Sequence, residues 1–209
     1  MDILFHIIEI IGTITFAISG AMEAIRHKMD LFGVAMLGIV TATGGGVLRD
    51  VIIGHNPPRV FTNPRYAILA FCVALLTFIF AKLFHNKAAD ARMRKVGDWV
   101  YFVTDTAGLA AFTVAGIEAA GKGGAALLLF VGVISGVGGS VIRDVLAGTV
   151  PSIFRKHIYA LAAAAGALSY IYLLRTPLPQ TLSMTIAFFL VVIIRTLAMY
   201  FKWNLPRIE

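Results

Sequence analysis

The sequence predicts an all-α membrane protein: seven transmembrane helices, built as an inverted repeat of two three-helix units plus a seventh helix. Three observations carry this expectation. The 209 residues are 59% hydrophobic and 14% charged, with a mean hydropathy of +0.86, whereas soluble domains run near 45–50% apolar and about 25% charged. The apolar residues fall into blocks long enough to cross a bilayer core, which takes about 20 helical residues. Two stretches of the chain also repeat one another, charges included.

The first block is Ile3–Ala24. Met1-Asp2 supplies no basic leader and Glu9 interrupts the run, so it reads as a span and not as a signal peptide. Arg26-His27-Lys28 ends it. The second block, Leu31–Gly54, stops before Pro57-Pro58, and the third, Tyr66–Phe84, runs into basic residues from Lys82 to Lys95. The fourth, Trp99–Ala120, ends at Lys122, and the fifth, Gly123–Gly148, ends before Pro151. The sixth, Ile153–Leu174, precedes Pro177 and Pro179, and the seventh is Thr181–Phe201. Proline and charge are what end a spanning helix. No connection holds a soluble domain, so the expectation is one transmembrane domain over 1–209: repeat 1 about 1–84, repeat 2 about 97–174, and helix seven about 181–201.

Composition excludes several classes. Disorder needs low hydrophobicity, and Cys72 alone makes no disulfide framework. The +7 net charge is dealt out between apolar blocks and forms no nucleic-acid patch. It reads instead as topology. Eleven Lys and Arg fall on the side holding the loops after spans one, three and five and the C-terminus, against four on the other side. The positive-inside rule then puts the N-terminus outside and the C-terminus in the cytoplasm, in a bacterial-type inner (plasma) membrane. His6, His27, His55, His85 and His157 show no ligand spacing, so no metal site is expected. No Lys-Ser/Thr follows the glycines as in a P-loop, and no nucleophile has its base, so no enzyme and no cofactor is expected. Trp99 with Tyr101, and Tyr200 with Trp203, read as interfacial belts, and Glu23 and Glu118 as interfacial acids.

Gly38–Gly54 and Gly132–Gly148, at an offset of 94, read GIVTATGGGVLRDVIIG and GVISGVGGSVIRDVLAG, identical at eight of 17 positions. Upstream, Glu9, Gly12, Phe16 and Gly20 match Asp105, Gly108, Phe112 and Gly116 at an offset of 96, on one helical stripe. Each copy holds three spans. Three is odd, so the second copy enters the membrane from the opposite side, an arrangement that places functional sites near the midplane.

Gly44-Gly45-Gly46 and Gly138-Gly139-Ser140 lie inside spans two and five. Such runs weaken a helix by about 1 kcal/mol per glycine, and the expectation is a kink or break exposing carbonyls to a wet path; tight helix packing is the competing reading. Arg49-Asp50 and Arg143-Asp144 follow at once, in the outer and inner halves respectively. Each buried charge costs about 2.5–3.5 kcal/mol on the insertion scale, so these groups must be paired or hydrated. The topology pairs Glu9 with Arg49 and Asp105 with Arg143, leaving Asp50 and Asp144 to act on a passing cation. Arg195, deep in span seven, is expected to snorkel to the cytoplasmic edge.

The doubled GGGVLRDVIIG and GGSVIRDVLAG, after FAISGAMEA and GLAAFTVAG, resemble the prokaryotic trimeric intracellular cation (TRIC) channels over nearly the whole chain. The resemblance implies a homotrimer with a pore inside each subunit, passage of monovalent cations, chiefly K⁺, and kinks at Gly44, Gly45, Gly46, Gly138 and Gly139. Ser140 departs from the full glycine triplet. Carbonyls there, with Thr41, Thr43, Ser135 and Ser140, would replace part of a cation's hydration shell. Some bacterial relatives are regarded as glycine transporters, so a carrier of a small neutral amino acid is the alternative. A scaffold whose repeats only pack is a third reading.

Overall fold

The computed structural model describes residues 3–84, 91–121, 123–155 and 158–203, without the side chains of residues 91–93 and 155. His85, Lys87, Lys122, Lys156, His157 and Arg207, with Met1 and Asp2, lie outside the described residues. The described chain is α-helical: α1 Ile3–Arg26, α2 Leu31–Ile52, α3 Arg59–Thr62, α4 Arg65–Leu83, α5 Ala91–Ala120, α6 Ala125–Leu146, α7 Ser152–Arg155, α8 Tyr159–Leu173 and α9 Gln180–Tyr200. Six of these are long and apolar enough to cross a membrane: α1, α2, α4, α5 from Arg94, α6 and α9.

Local chemistry sets the boundaries. Asp30 caps α2 by accepting from the Gly33 N–H at 2.8 Å. Helices α2 and α6 end alike, with Gly54 at φ +75° and Gly148 at φ +72°, a left-handed turn that glycine adopts without strain. The expected sixth span, Ile153–Leu174, is corrected. It divides into α7 and α8, and α8 is a 15-residue apolar helix, about 22 Å long at 1.5 Å per residue. Arg155-Lys156-His157 interrupts the apolar run, as Pro64 separates α3 from α4 in the first half.

Helices α1, α2, α5 and α6 form the centre. Helix α4 packs on α1 and α2, α8 packs on α6, and α9 covers α5 and α8. Contacts between the halves are reciprocal. Gly12 lies against Ala111 and Phe112, Gly108 lies against Phe16, and the Phe16 and Phe112 rings meet at 5.4 Å between centroids. Gly45 lies against the Ser135 carbonyl and Gly139 against the Thr41 carbonyl; Gly44 meets Ile142, and Gly138 meets Leu48. The Gly12–Phe112, Gly44–Ile142 and Gly45–Ser135 contacts recur with the two copies exchanged, as in an isologous pairing. Small residues let these backbones approach closely without a hydrophobic force to drive them in lipid.

Of the kink or break expected at the glycines, the break is corrected. Helices α2 and α6 run uninterrupted through residues 44–46 and 138–140. A continuous helix uses its carbonyls in i→i−4 bonds, so they are not bare ligands for an ion. Close packing across the α2/α6 crossing is what the glycines supply.

Candidate functional site

Each Arg-Asp pair sits in the last turn of its helix, where the chain must turn back. Asp50 Oδ1 accepts from its neighbour Arg49 Nε at 2.8 Å, and Asp50 Oδ2 accepts from the Arg59 backbone N–H at 2.8 Å. Asp144 repeats this, accepting from Arg143 Nε at 2.8 Å and from the Ser152 N–H at 2.6 Å. Both carboxylates therefore fix their own arginine and satisfy an unpaired donor at the start of the following short helix. Four charged side chains stay buried in this way: Arg49, Asp50, Arg143 and Asp144.

The two arginines then reach the acids of α1 and α5. Arg143 Nη1 donates to Asp105 Oδ1 at 2.7 Å and to Ser19 Oγ at 2.6 Å. Arg49 Nη1 stands 3.7 Å from Glu9 Oε1, a looser pair. Glu9 Oε2 instead accepts from the Tyr66 hydroxyl at 2.9 Å, and His6 Nδ1 lies 3.3 Å from that hydroxyl.

The halves differ in access. A cavity of about 620 Å³ opens on the first-half cluster. Glu9, Thr43, Gly46, Arg49 and Asp50 line it, Arg59 and Arg65 stand among its walls, and Phe112 is part of its lining. In the second half Tyr101, Asp105, Arg143 and Tyr159 are all buried, and Arg26 and Arg143 stand 4.3 and 5.3 Å from the Tyr101 ring centre.

Of the residues singled out from sequence, Glu9, Thr43, Gly46, Arg49 and Asp50 share the cavity. Gly44, Gly45, Gly138 and Gly139 lie at the helix crossing, with Ser135 and Ser140 buried beside them. Thr41, Thr43 and Ser140 spend their hydroxyls on the carbonyls of Leu37, Ile39 and Val137. Arg195 does not snorkel: it is 5% exposed, 3.6 Å from Asp105 Oδ2. Its turn into the protein brings it opposite a buried carboxylate, which an aqueous edge would not offer. Tyr101 is 7% exposed and so not part of a belt, whereas Trp99 is 62% exposed. Glu23 pairs with Arg26, and Glu118 accepts from Tyr170 and Gln180, at helix ends. Sequence reasoning missed Ser19, Tyr66 and Tyr159. Ser19 alone left a signal, as a hydroxyl beside Gly20 in an apolar helix.

Known proteins resemble the chain from end to end. The family profile described as Glycine transporter matches residues 6–82 and 102–175. The UPF0126 inner membrane protein YadS of Escherichia coli K12 is 36% identical over 208 residues, 97% of this chain and 95% of that one. A UPF0126 membrane protein of Deinococcus radiodurans is 42% identical over 166 residues, 78% of this chain and 73% of that one. A chain solved in work on conductance through TRIC cation channels superposes with a TM-score of 0.84 at 37% identity, covering 99% and 98% of the two chains. The TRIC orthologue from Rhodobacter sphaeroides gives 0.85 at 29% identity, covering 97% and 100%.

Proposed function

The chain belongs to the TRIC/UPF0126 family, and from that premise we propose that it conducts monovalent cations, chiefly K⁺, through a pore inside each subunit of a homotrimer. One observation carries the reading: an open cavity of about 620 Å³ reaches the carboxylate of Glu9. Glu9, Arg49 and Asp50 together carry a formal charge of −1, since two acids face one base. Arg59 and Arg65 in the walls bring the charged lining to +1, so attraction of a cation is local to Glu9, and the guanidinium beside it keeps the site from holding the ion too tightly. Glu9 presents the carboxylate to the ion. Asp50 and Asp144 act through their charge and by fixing the arginines, their oxygens being engaged already.

The same reading makes the two matched segments, 6–82 and 102–175, inverted three-helix units, with α9 outside the repeat. The reciprocal glycine contacts support it. It places the chain as one transmembrane domain in a bacterial inner membrane, N-terminus outside and C-terminus cytoplasmic, with the cavity opening outward. The apolar exterior of α4, where only Ala70 and Ala74 are buried, suits lipid and neighbouring subunits.

A carrier of glycine is the second reading, favoured by the family description and by a cavity that sets Arg49 against Glu9, complementary to a zwitterion. Proteoliposomes tested in parallel for K⁺ flux and glycine uptake separate the two. Single-channel steps support conduction; saturable, counterflow-competent glycine uptake without steps supports the carrier. Within the channel reading, Glu9→Gln removes the facing charge and is expected to move the reversal potential under a KCl gradient toward zero. An unchanged reversal potential in a folded Glu9→Gln protein would rule out that role.

A further inference from the structure

We propose that Asp105, Phe102 and Tyr159 form a cation-binding site in the second half, and that Arg195 fills it with a tethered guanidinium. The inference rests on the conduction reading for its effect on flux, but not for the site itself. The Arg195 guanidinium carbon lies 4.5 Å from the Tyr159 ring centre and 5.3 Å from that of Phe102, with Nη2 3.6 Å from Asp105 Oδ2. Two aromatic faces and a carboxylate are what a desolvated cation needs.

The repeat shows what this position is. At the offset of 96, Asp105 matches Glu9 and Phe102 matches His6; at 94, Tyr159 matches Arg65. All three first-half partners line the open cavity. Arg195 thus stands, in the second half, where the first half has a cavity, and it comes from α9, which has no counterpart in the repeat.

Charge gives the same answer independently. Arg143, Asp105 and Asp144 carry a formal −1, the balance of Arg49, Glu9 and Asp50. Among the described residues, Arg195 brings these three groups to zero. It supplies from within the chain a positive charge that a bound cation would supply from solution. A tethered guanidinium stacked on two rings is dislodged only when α9 shifts or a free cation competes, so the second half stays closed while it is seated.

Arg195→Ala tests this in the intact protein in lipid, with methylguanidinium as probe. Millimolar methylguanidinium is expected to raise the melting temperature of Arg195→Ala, more than K⁺ does at the same ionic strength, while leaving the wild type unmoved. Arg195→Ala with Phe102→Leu loses most of that response. K⁺ flux of Arg195→Ala rises about tenfold over the wild type, equivalent to about 1.4 kcal/mol, and methylguanidinium blocks it. Arg195→Lys, which keeps the charge without the planar stacking, falls between. If Arg195→Ala does not reach the membrane, Arg195→Gln carries the same expectations. Identical methylguanidinium responses in wild type and variant overturn the site. A response confined to the variant, with no current from either protein, leaves the site standing and removes the conduction reading.

Discussion

Arg143→Met is expected to destabilise the protein by about 3–5 kcal/mol, the cost of stripping the partner from a buried ion pair. Arg143 is 0% exposed and holds Asp105 at 2.7 Å, Asp144 at 2.7 Å and Ser19 at 2.6 Å. Methionine fills much of the volume and answers none of these groups, leaving two carboxylates buried with, among the described residues, the Arg195 guanidinium beside Asp105. Arg49→Met makes the same chemical change in the first half. There the acid partner stands at 3.7 Å and the cluster opens to a cavity, so water takes up part of the loss and the effect is smaller. Equilibrium unfolding in detergent measures both. Combining Arg143→Met with Asp105→Asn removes a charge from each side, and the double variant should lose less than the two single losses summed. Equal losses for Arg143→Met and Arg49→Met would mean that the cavity does not hydrate its cluster.

The contrast shows what a single sequence carries and what it does not. The apolar helices, the doubled segment and the Arg-Asp positions follow from composition and offset, because a bilayer forbids buried charge that serves nothing. Glu9 and Asp105 look equivalent on the page, yet one is loosely paired beside a cavity and the other is locked. The difference comes from residues outside the repeat pattern. Tyr66 takes a Glu9 oxygen from a position where the second copy has Ala160, and Arg195 arrives from α9. Periodicity places such a residue on a helix but does not rotate the helix about its neighbours. That is why Arg195 reads as a snorkelling side chain until α9 is seen against α5 and α8. The division of α7 from α8 was written in three consecutive basic residues, which mean apolarity masks when only block length is weighed.

Glycine-to-alanine substitutions along one triplet should give opposite results at adjacent positions. A Cβ at Gly45 falls on the Ser135 carbonyl oxygen, with the carbonyl carbon at 3.1 Å and the Gly139 nitrogen at 3.4 Å. Those are backbone atoms of α6, so neither can move alone, and the two helices must separate. Overpacking of this kind costs about 1–3 kcal/mol, and Gly139→Ala should match it, since its Cβ falls on the Thr41 carbonyl oxygen. At Gly46 the nearest atom is Arg49 Nη2, at 3.7 Å, an ordinary contact. Gly46→Ala therefore keeps the helix propensity that alanine adds, up to about 1 kcal/mol, and should melt at or above the wild type. If the triplet served as a hinge, the order would reverse: Gly46→Ala would suppress transport by stiffening the helix, and Gly45→Ala would do so without loss of stability. Melting temperatures and flux of the three single variants decide between a crossing point and a hinge, because only a crossing point makes the penalty follow the distance to the facing backbone.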